Sequence, residues 1–385
     1  MPGLGETTAM LARLRRSAKA PVGGVVSGRM VETAAFGANP GALRMFSHAP
    51  EGLARGAPLV VVLHGCTQQA QAYAAGAGWL TLADRHGFVV VAAEQAAANN
   101  PNRCFNWFSP DDTRRGEGEA ASIAAMAAHA IAEHGLDPER VFVTGLSAGG
   151  AMTSVMLAAY PDVFAGGAII AGLPYGVAGS VPEALRAMNR ADGRAAPELG
   201  ALVRGAAPIG GRIPRVAIWH GDADTVVHAS NADDIASQWA WTHGLAVEPD
   251  ETVSHPGRTH ATWRSPATGE VLIESHRLAR LGHGTPLASQ GPEGVGAAAP
   301  FMLEAGVSSS EEILAFWGLE PRPASDWPKA RSETAARPSP ARGRRVGSET
   351  PQSLGSQVMA SIAPHVPSSV QEVIAKALKS AGLMR

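Results

Sequence analysis

The run Val141-Phe142-Val143-Thr144 leads directly into Gly145-Leu146-Ser147-Ala148-Gly149-Gly150, and a helix-like stretch follows from Ala151 to Tyr160. A strand, a sharp turn with serine at its tip and a helix, in immediate succession, leave few architectures open. The serine has to sit in a strained backbone conformation. Side chains two residues to either side would strike neighbouring backbone, so Gly145 and Gly149 are required where they stand. With 44 glycines in the chain, Gly-x-Ser-x-Gly by itself says little, and its place between strand and helix carries the weight.

The surrounding pattern agrees. Leu59–Leu63, Phe88–Ala92, Val141–Thr144, Ala168–Ala171 and Val216–Trp219 are short apolar runs that end near Gly or polar residues, as strands buried on both faces do. Helix-like stretches lie between or after them, at roughly 70–86, 117–134, 149–160 and 228–243. Alternation over this length predicts a doubly wound, mostly parallel α/β sheet with helices on both faces, whose chemistry lies in loops at the C-terminal ends of the strands. His260–Arg264 and Val271–His276, around Ser265-Pro266-Ala267-Thr268-Gly269, read as a hairpin.

The catalytic domain is expected over 36–320, with 174–212 as an inserted cap. Residues 1–35 read as a helical leader on the spacing of Met10, Leu11 and Leu14. Residues 321–356 are rich in Pro and Arg, the composition of a disordered linker. In 357–385, Val370, Val373, Ile374, Ala377 and Leu378 share one face of an amphipathic helix, with Gly382 as its C-cap.

A net charge of −2 gives no reason to expect nucleic acid as a partner. No run of 18 apolar residues marks a membrane span, and no apolar core of signal-peptide length follows the basic residues near the N-terminus. Those features alone read as cytoplasmic, or as a secreted protein with an unrecognised or trimmed signal. Oligomeric state is not legible. The two cysteines, Cys66 and Cys104, are open to two readings: reduced thiols, or one disulfide.

The serine needs partners. His64-Gly65-Cys66-Thr67 follows the first strong strand, where an α/β-hydrolase carries its second oxyanion donor. The main-chain N–H of Cys66 is the candidate, with that of Ala148 as the other donor. His64 is expected to bond loop backbone. A bridge from Cys66 to Cys104 would fix this loop, while a reduced, packed Cys66 is the alternative. Ile218-Trp219-His220-Gly221-Asp222-Ala223-Asp224 ends a strand in a turn with two acids. Asp224, deeper in the turn, is preferred as the acid that orients an imidazole, and Asp222 as a turn cap. The base should follow the last strand, and His283, between Gly282 and Gly284, fits better than His255, His260 or His276. Phe105, Trp107, Tyr175 and Trp219 are candidates for an apolar acyl pocket, each equally readable as core. This chemistry calls for no metal and no organic cofactor.

Together these segments resemble the polyhydroxybutyrate depolymerase family of esterases. The matching pieces are Leu63–Gln68, Asn102–Phe108, Arg115–Glu119, Gly145–Gly150, Ala171–Tyr175, His220–Asp224 and Gly282–Pro286, spread over roughly 40–320. The resemblance implies an α/β-hydrolase acting on short-chain polyhydroxyalkanoate or related esters. It implies Ser147, Asp224 and His283 as triad, Cys66 and Ala148 as oxyanion donors, a Cys66–Cys104 bridge and an extracellular setting. Two departures are the missing signal peptide and the lack of a recognisable polymer-binding domain after 320, which favours oligomers or small esters. Rival readings are a feruloyl or acetyl-xylan esterase, an acyltransferase, and a non-catalytic polyester-granule-binding protein.

Overall fold

The computed structural model describes residues 28–191, 193–206 and 211–319. In chain order its strands are β1 (Val31–Thr33), β2 (Arg44–His48), β3 (Leu59–Leu63), β4 (Val89–Glu94), β5 (Val141–Leu146), β6 (Gly166–Ile170), β7 (Arg215–Gly221), β8 (Glu251–His255), β9 (Arg258–Arg264), β10 (Val271–Leu278), β11 (Thr285–Leu287) and β12 (Met302–Glu304). The helices are α1 (Ala70–Gly76), α2 (Trp79–His86), α3 (Pro110–Thr113), α4 (Gly118–His134), α5 (Ala148–Ala159), α6 (Val181–Asn189), α7 (Ala196–Arg204), α8 (Ser230–His243) and α9 (Ser309–Phe316).

Ten strands form one sheet in the order β1-β2-β4-β3-β5-β6-β7-β10-β9-β8. The pairs from β4 across to β10 are parallel, and antiparallel strands finish both edges. Side chains alternate between faces along a strand. Leu59, Val61 and Leu63 therefore enter one core with α4 and α5, while Val60 and Val62 enter the other with α1, α2 and α9. All five residues of β3 are buried, and each such side chain contributes about 1.5–3 kcal/mol of hydrophobic stabilisation. This is an α/β-hydrolase fold.

From β3 the chain steps to β4 on one side and, after α4, to β5 on the other. A crevice opens beyond the C-terminal ends of strands at such a reversal. His64–Thr67 and Ser147 lie at those ends of β3 and β5.

Several local expectations change. The described end of the presumed helical leader is not helical: Val31–Thr33 form β1, paired to β2. The helix expected over 70–86 is two helices, broken at Ala77–Gly78, where Gly78 takes φ 87° against Val295 and Gly296. β6 starts at Gly166 and stops at Ile170, because Ala171 turns out of the strand with φ 47°. β8 was not anticipated, since all five of its residues are exposed and carry no buried face. The 174–212 segment folds as α6 and α7, the crossover that parallel β6 and β7 require. It docks on α8: Tyr175 N–H donates to Gln238 Oε1 (2.9 Å), and Gln238 Nε2 donates to the carbonyls of Tyr175 (3.0 Å) and Leu199 (2.9 Å). The 321–356 linker and the 357–385 helix lie outside the described residues. Among the described residues no helix is long and apolar enough to cross a membrane.

Candidate active site

Ser147 stands between β5 and α5 with φ 59° and ψ −118°, a conformation costing a non-glycine residue about 1–3 kcal/mol. The surroundings enforce it. A Cβ on Gly145 would lie 2.4 Å from the Gly149 carbonyl oxygen, and one on Gly149 would lie 2.1 Å from that of Leu63. Both positions exclude any side chain, as expected from the spacing. Ser147 itself is 8% exposed. Helix geometry leaves the first amides of α5, Ala148 N–H among them, without partners inside the helix.

The loop after β3 lies against this turn: a Cβ on Gly65 would come within 3.5 Å of Ser147 Cβ. Gly65 N–H donates to Gln68 Oε1 (2.8 Å) and Thr67 N–H to the Asn102 carbonyl (2.7 Å). Cys66 N–H, between them, has no partner among the described residues. Cys66 is disulfide-bonded to Cys104, so the bridged reading of the two cysteines holds. His64 is structural, as expected. Its Nε2 accepts from Gln95 N–H (3.1 Å), so Nδ1 carries the proton and donates to the Gly65 carbonyl (2.8 Å).

Main-chain bonds run from Ser147 across the same edge of the sheet. Ser147 N–H donates to Ile170 at the end of β6 (2.9 Å), and Ala171 N–H to Trp219 in β7 (2.8 Å). Asp222 N–H then donates to Leu278 at the end of β10 (2.9 Å), and Ala223 N–H to Leu281 (3.0 Å). A Cβ on Gly221 would sit 2.2 Å from the Leu281 carbonyl oxygen, so glycine lets the loops after β7 and β10 close on each other.

That closure brings His283 Nδ1 to 2.7 Å from Asp224 Oδ2. The other oxygen of Asp224 is occupied, since Oδ1 accepts from Val226 N–H (2.8 Å) and Val227 N–H (2.9 Å). With a carboxylate facing Nδ1, His283 carries its proton there and keeps a lone pair on Nε2. Burial alone would raise the Asp224 carboxyl. Hydrogen bonds from His220 and His283, with their charge, outweigh it and hold the group far below the usual carboxylate range. Asp222 instead pairs with Arg277, Oδ1 to Nη2 at 2.7 Å.

His220 was missed as part of this site. Its Nε2 lies 2.9 Å from the Val227 carbonyl and 3.3 Å from Asp224 Oδ2, with both side chains fully buried. A carbonyl only accepts, so Nε2 carries the proton, and Asp224 gains a second imidazole donor. The signal was the i, i+4 spacing of His220 and Asp224 around Gly221.

A family model described as "Esterase PHB depolymerase" matches residues 45–254. The chain belongs to this esterase family. It is 44% identical over 292 residues to poly(3-hydroxyalkanoate) depolymerase C of Paucimonas lemoignei, covering 75% of this chain and 70% of that one. It is 32% identical over 272 residues to an acetylxylan esterase of Coprinopsis cinerea, covering 69% and 72%. The structure of an acetyl xylan esterase from Aspergillus awamori shares the fold, with a TM-score of 0.64 and 24% identity over 76% of this chain and all of that one. The protein is thus a serine-hydrolase-type carboxylic ester hydrolase related to the PHB depolymerases.

Two of the four pocket candidates in this PHB depolymerase-family esterase are core instead. Phe105 is fully buried beside the His64 ring, at 5.1 Å between centroids. Trp219 is also fully buried, because strand alternation turns it to the α9 face, where it stacks on His276 at 3.8 Å. Trp107, 8% exposed, and Tyr175, half-buried, keep part of their surface open.

His260, Glu274 and His276 place ligand atoms within 4.8 Å of one another, the only such group among the described residues. Their geometry is that of a fork, with one carboxylate facing two imidazoles. The two imidazoles stack nearly parallel, 4.2 Å apart at 9°, each facing a different oxygen of Glu274. A metal on His276 Nε2 would leave Nδ1–H in need of an acceptor. That nitrogen faces Arg258 Nη2 at 2.7 Å, and a guanidinium only donates.

Proposed function

We propose that the protein hydrolyses esters of short 3-hydroxyalkanoate chains through an acyl-enzyme on Ser147. The observation that carries this reading is the strained Ser147 turn set against a bridged loop whose Cys66 amide is free, at the sheet edge where Asp224 holds His283. His283 Nε2 takes the proton of Ser147 Oγ as the oxygen attacks the ester carbonyl, and Asp224 steadies the imidazolium that results. The Cys66 and Ala148 amides donate to the oxyanion, each worth about 10²–10³ in kcat. His283 returns the proton to the leaving alkoxide, then activates water, which releases the hydroxy acid and regenerates Ser147.

The likeness to the Paucimonas depolymerase supports a hydroxyalkanoate ester as substrate. The likeness to the Coprinopsis acetylxylan esterase supports a second reading, an acetyl or feruloyl ester of plant polysaccharide. The disulfide favours an oxidising, extracellular setting. Ser147→Ala should retain its fold and lose hydrolysis of p-nitrophenyl butyrate, and substantial residual activity would refute the assignment. A rate comparison on 3-hydroxybutyrate oligomers, methyl ferulate and acetylated xylan should rank the oligomers first. Faster turnover of either plant ester would move the substrate to the second reading.

A further inference from the structure

Glu119, an acid outside the chemistry above, lies in the first turn of α4 and is 1% exposed. Every hydrogen-bond partner of its carboxyl group is a donor. Oε1 accepts from Gln95 Nε2 and from Asn106 Nδ2 (2.8 Å), and Oε2 accepts from Asn106 N–H (2.8 Å). Burial pushes this carboxyl up to about 8, against the bonds from Asn106 and Gln95, which favour the ionised form. A buried acid is costly to keep unless its partners make use of it.

Both partners lead to the loop that carries Cys66, from opposite sides. Gln95 donates its main-chain N–H to His64 Nε2 (3.1 Å), and His64 Nδ1–H holds the Gly65 carbonyl (2.8 Å). Gln95 Nε2 also reaches the carbonyl of Cys104 (3.2 Å), the residue bridged to Cys66. On the other side, Asn106 Oδ1 accepts from Asn100 Nδ2 (3.0 Å), and Asn100 Oδ1 accepts from Asn102 N–H (3.0 Å). The Asn102 carbonyl then accepts Thr67 N–H (2.7 Å). Residues 65 and 67 are thus tied through two hydrogen-bond routes to one carboxyl group, and the residue between them presents the unbonded amide.

We propose that Glu119 is the positioning residue for the oxyanion amide of Cys66. It touches no substrate and acts through Gln95 and Asn106, which set the orientation that the disulfide alone leaves free. The proposal rests on the reading of Cys66 N–H as an oxyanion donor.

Glu119→Gln preserves shape but supplies one accepting oxygen and an NH₂ group facing donors, so at least one of the three bonds is lost. The expected result with p-nitrophenyl butyrate is kcat lowered about 10- to 100-fold with KM within about twofold. Affinity for an alkyl boronic acid, whose tetrahedral serine adduct places an oxygen in the oxyanion hole, should fall by the same factor. Gln95→Met, which keeps the main-chain bond to His64, should show a smaller loss with the same split, and it decides the matter if Glu119→Gln does not fold. Unchanged kcat, a loss carried by KM, or boronate affinity that stays level while kcat falls would overturn the proposal. Substantial activity in Ser147→Ala would remove the underlying assignment and the proposal with it. An inactive Ser147→Ala beside an unslowed Glu119→Gln would remove the proposal alone.

Discussion

Asp224, just past the end of β7, and Glu274, within β10, are both buried acids that face two imidazoles. Their surroundings differ at the far side of the rings. Around Glu274 both histidines belong to strands, their rings stack, and Arg258 fills the second nitrogen of His276 while Glu312 on α9 anchors Arg258. Around Asp224 the second imidazole, His283, comes from a loop, and its Nε2 is left with a lone pair at the edge that carries Ser147. The same side-chain types make a strut in one place and, on the proposed mechanism, a base in the other. What separates them is position in the fold, since only loops past the C-terminal ends of the strands can bend a ring toward the crevice.

Matched substitutions test the contrast most strongly. Asp224→Asn should lower kcat about 10⁴-fold, the size of effect expected when the base loses its orienting charge and tautomer. Glu274→Gln should leave kcat within about twofold and instead cost about 1–3 kcal/mol of stability in urea unfolding, as one buried N–H is left facing another donor. Comparable kinetic losses in the two variants would erase the distinction.

A second difference is covalent, for the Cys66–Cys104 bridge braces the crevice beside Ser147. It spans 38 residues, and its removal by Cys66→Ala with Cys104→Ala should lower stability by about 4 kcal/mol on loop-closure grounds. Kcat should fall with it. Unaltered kinetics in a folded double variant would separate the bridge from the oxyanion loop.

Acid should loosen the fold. Burial holds His276 below its ordinary value, and brings His243, under the Pro214 carbonyl, down to about 4. The unfolded chain takes these protons more readily, so their contribution is complete above the ordinary value of 6.5 and is lost as pH falls toward 4. For His243 the loss reaches about 3 kcal/mol. The stability of the wild type relative to His243→Gln, measured by urea unfolding, should shrink from pH 8 to pH 5, and a difference level across the series would contradict the burial argument.

Much of the catalytic end was legible because its requirements are local. Glycines must flank a serine in a strained turn, and β-branched runs must be buried on both faces to form a parallel core. Asp224 could be preferred over Asp222 from depth in the turn alone, and Asp222 is indeed engaged outside, by Arg277. What stayed hidden depends on tertiary partners. β8 is a wholly exposed edge strand with no apolar alternation, and β1 is three residues paired to β2. The burial of Trp219 follows from β10 supplying His276 to stack on it. The role proposed for Glu119 follows from two loops, 13 and 24 residues upstream of it, converging on one helix start.

The central claim is that Ser147 is the activated nucleophile, and active-site labelling tests it most directly. An organophosphonate ester bearing a p-nitrophenyl leaving group, followed by peptide mapping with mass spectrometry, should give one adduct, on Ser147, formed at least about 10³-fold more slowly in His283→Ala. An adduct on another residue, or one formed on Ser147 at the same rate without His283, would contradict the account.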